Sequence, residues 1–357
     1  MVRRVAWAAT AAMAAGAVAV PASAHSGDSG SPEQKTIVEG LVGPSGLAVS
    51  WDGTVYVADL FGGALVKVRS GEATTIVEAP EGGAITGVAL GRHRSGVTFT
   101  QSGGGMNTIG TVNRVDRDGD DLTVLADLGA YEAANNPDQV NSYGFQGLSD
   151  ECLASIPEDF QPASYTGVLD SNVYAVAVLR DGSRVVADAG GNDLVRVSRH
   201  GKVSTVAVLP PIPVTANLPG LPECAQGATY NLEPVPTDVE VGRNGMLYVS
   251  ALPGGPEDGS IGANGTIFKV NPWTGSVEKV AGGFAGATDL AIGPRGTIYV
   301  TELFGGRISI ADGDTPKPFL TVDRPNAVEY HDGWLYAAVG FDSGNASVIK
   351  VKVGHHR

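Results

Sequence analysis

Short runs of alternating apolar and polar residues, separated by glycine-centred turns, recur along this chain in a fixed order. The first set reads Pro44-Ser45-Gly46-Leu47-Ala48-Val49, a turn at Trp51-Asp52-Gly53, and then Thr54-Val55-Tyr56-Val57-Ala58-Asp59. A bend at Gly62-Gly63 leads into Ala64-Leu65-Val66-Lys67-Val68, and Thr74-Thr75-Ile76-Val77 closes the unit. Each run has strand length and is rich in β-branched and aromatic residues between turn signals, which predicts four strands per unit. A four-stranded unit cannot bury both of its faces alone. Six such units in succession therefore predict an all-β, six-bladed propeller of four-stranded antiparallel blades.

The glycine of the first hairpin turn sets the register: Gly53, Gly96, Gly182, Gly245, Gly296 and Gly333. Apolar runs follow each, as in Leu247-Tyr248-Val249 and Ile298-Tyr299-Val300. Third strands align as Val66-Lys67-Val68, Val195-Arg196-Val197, Phe268-Lys269-Val270 and Ile349-Lys350-Val351, with a cation whose apolar stem lies along the sheet while its head reaches water. The sixth unit ends after its third strand, Ser347 to Val353. Lys35-Thr36-Ile37-Val38-Glu39, ahead of the first unit, reads like the fourth strands of the others. The N-terminal segment is thus expected to complete the last blade and remove a free seam.

The departures from the repeat point to function. In a propeller blade, the loop entering the first strand and the loop joining the second and third strands share one face. Gly129 to Asp170 and Pro210 to Val235 are insertions of the first kind; Ser102 to Ile109 and Leu252 to Asn264 are of the second. Turns of the opposite face stay short. Long loops concentrated on one face mark it as the binding face. Polar residues are expected to converge there. Ser45, Thr86, Asn172, Thr237-Asp238, Thr288-Asp289 and Asn326 begin first strands, and Asp59, Asp188 and Glu302 end second strands. From these we take Asp59, Asn172, Asp188, Asp238, Asp289, Glu302 and Asn326 as candidate ligand-binding residues, suited to a hard cation such as calcium or to a polyhydroxylated ligand. The competing reading is that such side chains cap turns and satisfy backbone amides.

Arg3 and Arg4, the apolar run from Val5 to Val20 and the small residues Ala22-Ser23-Ala24 read as a secretory signal peptide over 1–24. A flexible leader is expected over 25–34, one propeller domain over 35–353 and a short tail over 354–357. Removing residues 1–24 from 357 leaves 333, and losing the two arginines moves the formal charge from −14 to −16. So acidic a chain disfavours nucleic acid and anionic membranes, and no later stretch is apolar enough to span a bilayer. A secreted monomer is expected. Its two cysteines, Cys152 and Cys224, both lie in the long insertions and are expected to pair. Asp116-Arg117-Asp118-Gly119-Asp120-Asp121 has carboxylate spacing like a calcium loop but lacks the glycine at its sixth position, which favours a solvated turn. No catalytic residue is assigned. His93, His200 and His331 fall in opposite-face turns and His25, His355 and His356 are terminal, so none is placed as a general base.

The string Pro-x-Gly-Leu-Ala-Val, Asp-Gly-x-Val-Tyr-Val-Ala-Asp, Gly-Gly-x-Leu-x-Lys-Val resembles NHL-type propeller repeats, as does Asp188 to Val197. More narrowly, Val55 to Asp59, Tyr131 to Asp138, Asp170-Ser171-Asn172 with Tyr174, and Pro236 to Val239 resemble the ScyD/ScyE family of secreted proteins. That resemblance implies an extracytoplasmic propeller. The chain is also similar to calcium-dependent lactonases and gluconolactonases. There Asn172, Asp238, Asp289 and Asn326 partly match the axial ligands, while Ser45 stands where an acidic ligand is expected. Two functions follow. The first is a secreted binding scaffold holding a glycan, peptide or small aromatic molecule at the channel mouth. The second is a calcium-assisted hydrolase or lactonase of the same fold.

Overall fold

In the computed structural model, residues 33–91, 96–104 and 109–353 are described. The signal-peptide segment 1–24, nearly all of the leader, His93, part of the Ser102–Ile109 insertion and the tail 354–357 lie outside them. The strands assemble into seven four-stranded antiparallel sheets, one more than the repeats predict. Five sheets are each built from four consecutive strands, such as Pro44–Val49, Val55–Asp59, Ala64–Arg69 and Glu72–Glu78. A sixth contains Ala327–His331, Trp334–Val339 and Ala346–Lys352, and its outer strand is the N-terminal Gln34–Leu41. Lys35 faces Lys350 and Leu41 faces Ala346 across that pairing, so the chain ends meet as expected.

Alternation within each strand supplies two cores at once. Val55 and Val57 point into a cluster with Leu41, Tyr336 and Val348 of the sixth unit, while Tyr56 and Ala58 point into one with Ile85, Val97 and Phe99 of the second. Further clusters join the second unit to the third, the third to the fourth, the fourth to the fifth and the fifth to the sixth. The inner strands Pro44–Val49, Gly83–Leu90, Val173–Val178, Pro234–Val241, Ala287–Ile292 and Ala327–His331 touch in chain order, and the last touches the first. Third-strand cations sit against carboxylates or an aromatic ring: Lys67 on Asp118 at 2.7 Å, Arg196 on Asp181 at 2.5 Å, and Lys350 over Trp334. Asp116 accepts from the Asp118 and Asp120 amides, which makes the acidic 116–121 stretch a self-capped turn.

The seventh sheet corrects the expectation that the two long insertions are loops. Ser142–Phe145 and Ser164–Thr166 of the first insertion pair with each other, and Ile212–Thr215 and Thr229–Leu232 of the second do likewise. Gly144 and Phe145 then pair with Asn231 and Tyr230, joining the insertions edge to edge. These strands are only three or four residues long, and none is stable without its partners. A small separate core of Phe145, Ile156, Ala163, Leu221 and Ala225 lies beneath them, closed by the Cys152–Cys224 disulfide. Among the described residues no helix is long and apolar enough to cross a membrane.

Leu41 is buried at the seam between the first and sixth units. Leu41→Ala should therefore cost about 2–5 kcal/mol in denaturant unfolding. A midpoint equal to that of the parent protein would contradict the closure. Replacing Cys152 and Cys224 together by serine opens a loop spanning 72 positions, which in the chain-entropy model removes about 4 kcal/mol. Titratable thiols in the unreduced, unfolded protein would contradict the pairing.

Candidate functional site

The polar residues that begin the inner strands turn out to be fasteners. Ser45 Oγ donates to the Thr86 carbonyl at 2.7 Å, and Thr86 Oγ1 donates to the Val173 carbonyl at 2.6 Å. Thr237 Oγ1 reaches the Ala287 carbonyl at 2.9 Å, and Asn326 Nδ2 reaches that of Pro44 at 3.2 Å. In each case a small buried side chain satisfies a carbonyl of the next inner strand. Thr288 shares a 2.8 Å hydroxyl contact with Thr301 in its own sheet. Asn326, expected at a ligand, thus spends its amide N–H on a strand-to-strand bond.

Asp59, Asp188 and Glu302 occupy equivalent positions and share a different task. Asp59 accepts from the amides of Val42, Gly43 and Gly62, the Gly43 bond being 2.6 Å. Asp188 accepts from Ser171 Oγ and the Asn172 amide, both at 2.7 Å, and from the Gly190 and Gly191 amides. Glu302 takes the Ala285 amide, Ser309 Oγ, and a two-pronged Arg307 contact. Burial opposes the Glu302 charge, but these donors outweigh it and hold its pKa below the ordinary range. Asp59 and Asp188 tie the loop entering the sheet to the glycine bend after the second strand, whereas Glu302 ties that loop to the third strand through Arg307 and Ser309. A Cβ on Gly62 would lie 2.6 Å from Asp59 Oδ2, so that bend requires glycine. Asn172 contributes backbone groups here: its N–H goes to Asp188 and its carbonyl accepts from Ala189.

Only Asp238 and Asp289 of the expected set line the central cavity, of about 220 Å³. With them are two glutamates that sequence reasoning missed, Glu240 and Glu329. Glu240 lies two residues after Asp238 on an inner strand and so faces the same way, a spacing that marked it in the sequence. The opposite wall is Ala48, Val88, Ala175, Ala177 and neighbouring backbone, and among the described residues no Lys, Arg or His lines the cavity. Crowding without a counter-charge keeps protons on these groups. Burial pushes Asp238 up to about 7, against the pull of the Val239 and Leu290 amides and a hydrogen bond with Asp289. Burial and the Asp238 charge push Glu329 up to about 8. Asp289 and Glu240 are raised well above the usual carboxylate range by burial and by one another's neighbours. The result is a polar wall of shared protons facing an apolar wall, able to donate and accept at neutral pH.

The cavity does not fit the expected axial calcium. Asn326 and Ser45 are bound to neighbouring strands, and Asn172 is absent from the lining. A second acidic group, also missed, lies sealed beneath the first insertion. Glu132, Asp138 and Asp193 there feel the Asp188 charge, and burial raises Glu132 to about 8 and Asp138 to about 6.

The NHL repeat family matches residues 41–68. No curated protein matches the sequence. Among solved structures, the chain is similar to a gluconolactonase from Xanthomonas campestris, at 13% identity over 90% of this chain and 89% of that one, with a TM-score of 0.54. It is similar to the PQQ-bound aldose sugar dehydrogenase of Streptomyces coelicolor, at 15% identity over 90% and 98%, with a TM-score of 0.53. A streptogramin B lyase aligns over 90% and 98% at 13% identity, with a TM-score of 0.50. At such identities the likeness shows the fold alone: an all-β protein of propeller type.

A carboxyl whose pKa rises on folding binds more protons folded than unfolded. For Glu329 the window runs from about 4.5 to about 8: its stabilising share is full in acid and is lost as pH rises through about 8. Glu329→Gln should accordingly gain stability relative to the parent between pH 5 and pH 9, by roughly a few kcal/mol. Parallel unfolding curves of the two proteins at both pH values check this, and a difference independent of pH would refute it.

Proposed function

We propose that this chain is an exported six-bladed propeller of the ScyD/ScyE type. In this reading the insertion-derived sheet is an addition to the ring and not a seventh blade. We further propose that it is a carboxylate-dependent hydrolase, taking a small neutral polyhydroxylated lactone or ester into the central cavity. The observation that carries this reading is the pairing of walls: four proton-sharing carboxyls, Asp238, Glu240, Asp289 and Glu329, opposite a surface of small apolar residues. Such a cavity offers hydrogen bonds to hydroxyls on one side and a flat contact for a sugar-like ring on the other. It disfavours anions, and its own carboxyls supply both the acid and the base. The gluconolactonase and the sugar dehydrogenase among the similar folds act, by their names, on small sugar-derived molecules, which supports the same substrate class.

In this mechanism one carboxylate of the Asp238–Asp289 pair takes a proton from water as the water oxygen attacks the acyl carbon. A neighbouring carboxyl, kept protonated by crowding, gives its proton to the ring oxygen as the carbon–oxygen bond breaks. Water is consumed, the new carboxylic acid returns its proton to the carboxylate that acted as the acid, and the open hydroxy acid leaves as an anion that the acidic wall disfavours.

A second reading, the binding scaffold, is favoured by one observation. Val140, Val168, Leu169 and Leu218 of the insertions are exposed, which suits a peptide or aromatic ligand held without turnover.

The decisive experiment is a panel of lactones and aryl esters offered to the chelator-treated protein. Turnover is expected, with Asp238→Asn and Asp289→Asn each lowering kcat/KM by about 10²–10⁴-fold. Binding without turnover, lost instead on replacing Val140 and Leu169 by serine, would transfer the function to the scaffold reading. Export is checked on the same protein, whose mature chain should begin at His25.

A further inference from the structure

The sealed acidic group under the first insertion has an unusual hydrogen-bond balance. The helix Leu128–Asn135 supplies Glu132, the short turn Pro137–Val140 supplies Asp138, and the turn between the second and third strands of the third unit supplies Asn192 and Asp193. All four are between 0 and 4% exposed. Yet Glu132 Oε1, Asp138 Oδ1, Asn192 Oδ1 and both carboxylate oxygens of Asp193 have no hydrogen-bond partner. The Thr205 hydroxyl acts weakly on Asp193 but is engaged by Tyr131 at 2.9 Å. Every orphaned atom of this group is an oxygen acceptor. Native proteins seldom leave even one such atom buried and unpaired, since each costs about 1–3 kcal/mol.

The groups lie close together. A methyl carbon placed on Gly191 would lie 3.4 Å from both Asp193 Oδ1 and Glu132 Oε2, and 3.6 Å from Asp188 Cγ, so these side chains converge over the Gly191 turn. Asn192 Nδ2 donates to Asp138 Oδ2 at 2.9 Å, and that bond turns the amide oxygen of Asn192 away from Asp138. Tyr143 gives its hydroxyl to the same Asp138 oxygen at 3.2 Å. Glu132 receives the Asp170 amide. Among the described residues no salt bridge reaches any of the three acids, and the charges that act most strongly on them are Asp188, Asp170 and each other.

We infer that Glu132, Asp138, Asn192 and Asp193, with Asp188 behind them, form a binding site for one calcium ion that pins the first insertion to the third unit. The donor set is wholly hard oxygen and mixes carboxylates with an amide carbonyl, the composition calcium prefers, with no nitrogen or sulfur to favour zinc. The ion supplies the positive charge that the packing lacks and gives the orphaned oxygens a partner. No three acidic side chains yet stand at bonding distance from one point. Binding therefore draws the Asp193 and Glu132 carboxylates together over the Gly191 turn. The site is separate from the central cavity and does not depend on what reacts there.

Calcium is titrated into the chelator-treated full chain, following heat uptake and thermal unfolding. One ion per chain is expected, with Tm rising by about 5 °C or more once calcium exceeds its dissociation constant about 100-fold. Asp193→Asn and Glu132→Gln should each weaken uptake at least about 10-fold, whereas Asp238→Asn in the cavity should leave it unchanged. Terbium is a second probe that needs no variant: its emission should be sensitised through Tyr143 beside Asp138 and quenched by added calcium. Flat heat, flat Tm and unsensitised terbium in millimolar calcium would overturn the site. So would uptake that survives both cluster variants, or uptake abolished by Asp238→Asn. If Asp193→Asn stabilises the metal-free protein and calcium adds nothing, the cluster is held by protons alone and the inference fails.

Discussion

The inner strands cannot pair with one another as a sheet does, because each is the terminal strand of its own sheet. The protein resolves this with one repeated interaction: a small buried donor at the start of an inner strand gives its proton to a carbonyl of the next. Ser45 to Thr86, Thr86 to Val173, Thr237 to Ala287 and Asn326 to Pro44 are the instances. Each bond contributes about 1 kcal/mol and leaves a costly orphan when broken, so their larger effect is to hold the inner strands in register. Everything that faces the cavity inherits its position from those strands.

Acidic residues in this fold do three different jobs, and the donors around them decide which. Where an amide or guanidinium points at the carboxylate, as at Asp59, Asp188 and Glu302, the acid is a clasp between the entering loop and a bend or strand. Asp238, Glu240, Asp289 and Glu329 face a cavity with mainly one another and a few amides for company, so burial and mutual repulsion raise their pKa values. Sealed acids with too few donors, as at Glu132 and Asp193, leave carboxylate oxygens unpaired. A carboxylate saturated by donors has neither a proton to move nor a lone pair to offer, which is why the proposed chemistry rests on the second and third situations.

The insertions make the repeated scaffold asymmetric. Their strands meet across more than sixty residues of intervening chain, at Gly144 with Asn231, and the disulfide locks that meeting. Leu232 and Ile212 also enter the core shared by the third and fourth units, which couples the added sheet to the ring. The acidic wall comes from the fourth to sixth units and the apolar wall from the first three, so the cavity is polarised although the units that build it are alike. This asymmetry is the reason for preferring chemistry in the cavity over the scaffold expectation that the loop lengths alone suggested.

The chain by itself determined the strands, their grouping into units, and the use of Lys35 to Glu39 to complete the last one. These follow from local alternation and from counting strands. The cysteine pair was legible too, since both residues sat in long insertions of a chain with no other cysteine. The seventh sheet was not legible, because segments such as Ser164–Thr166 are too short to alternate visibly and gain stability only from distant partners. Nor were the roles of the polar residues. Asp59 and Asp238 look alike in sequence, each beside a strand end on the same face; only the ring brings amides to one and carboxylates to the other. Glu132 and Asp193 lie sixty-one positions apart and meet because a helix docks on a turn. Local pattern fixes which way a side chain points, but what it meets there is decided when distant segments close around it.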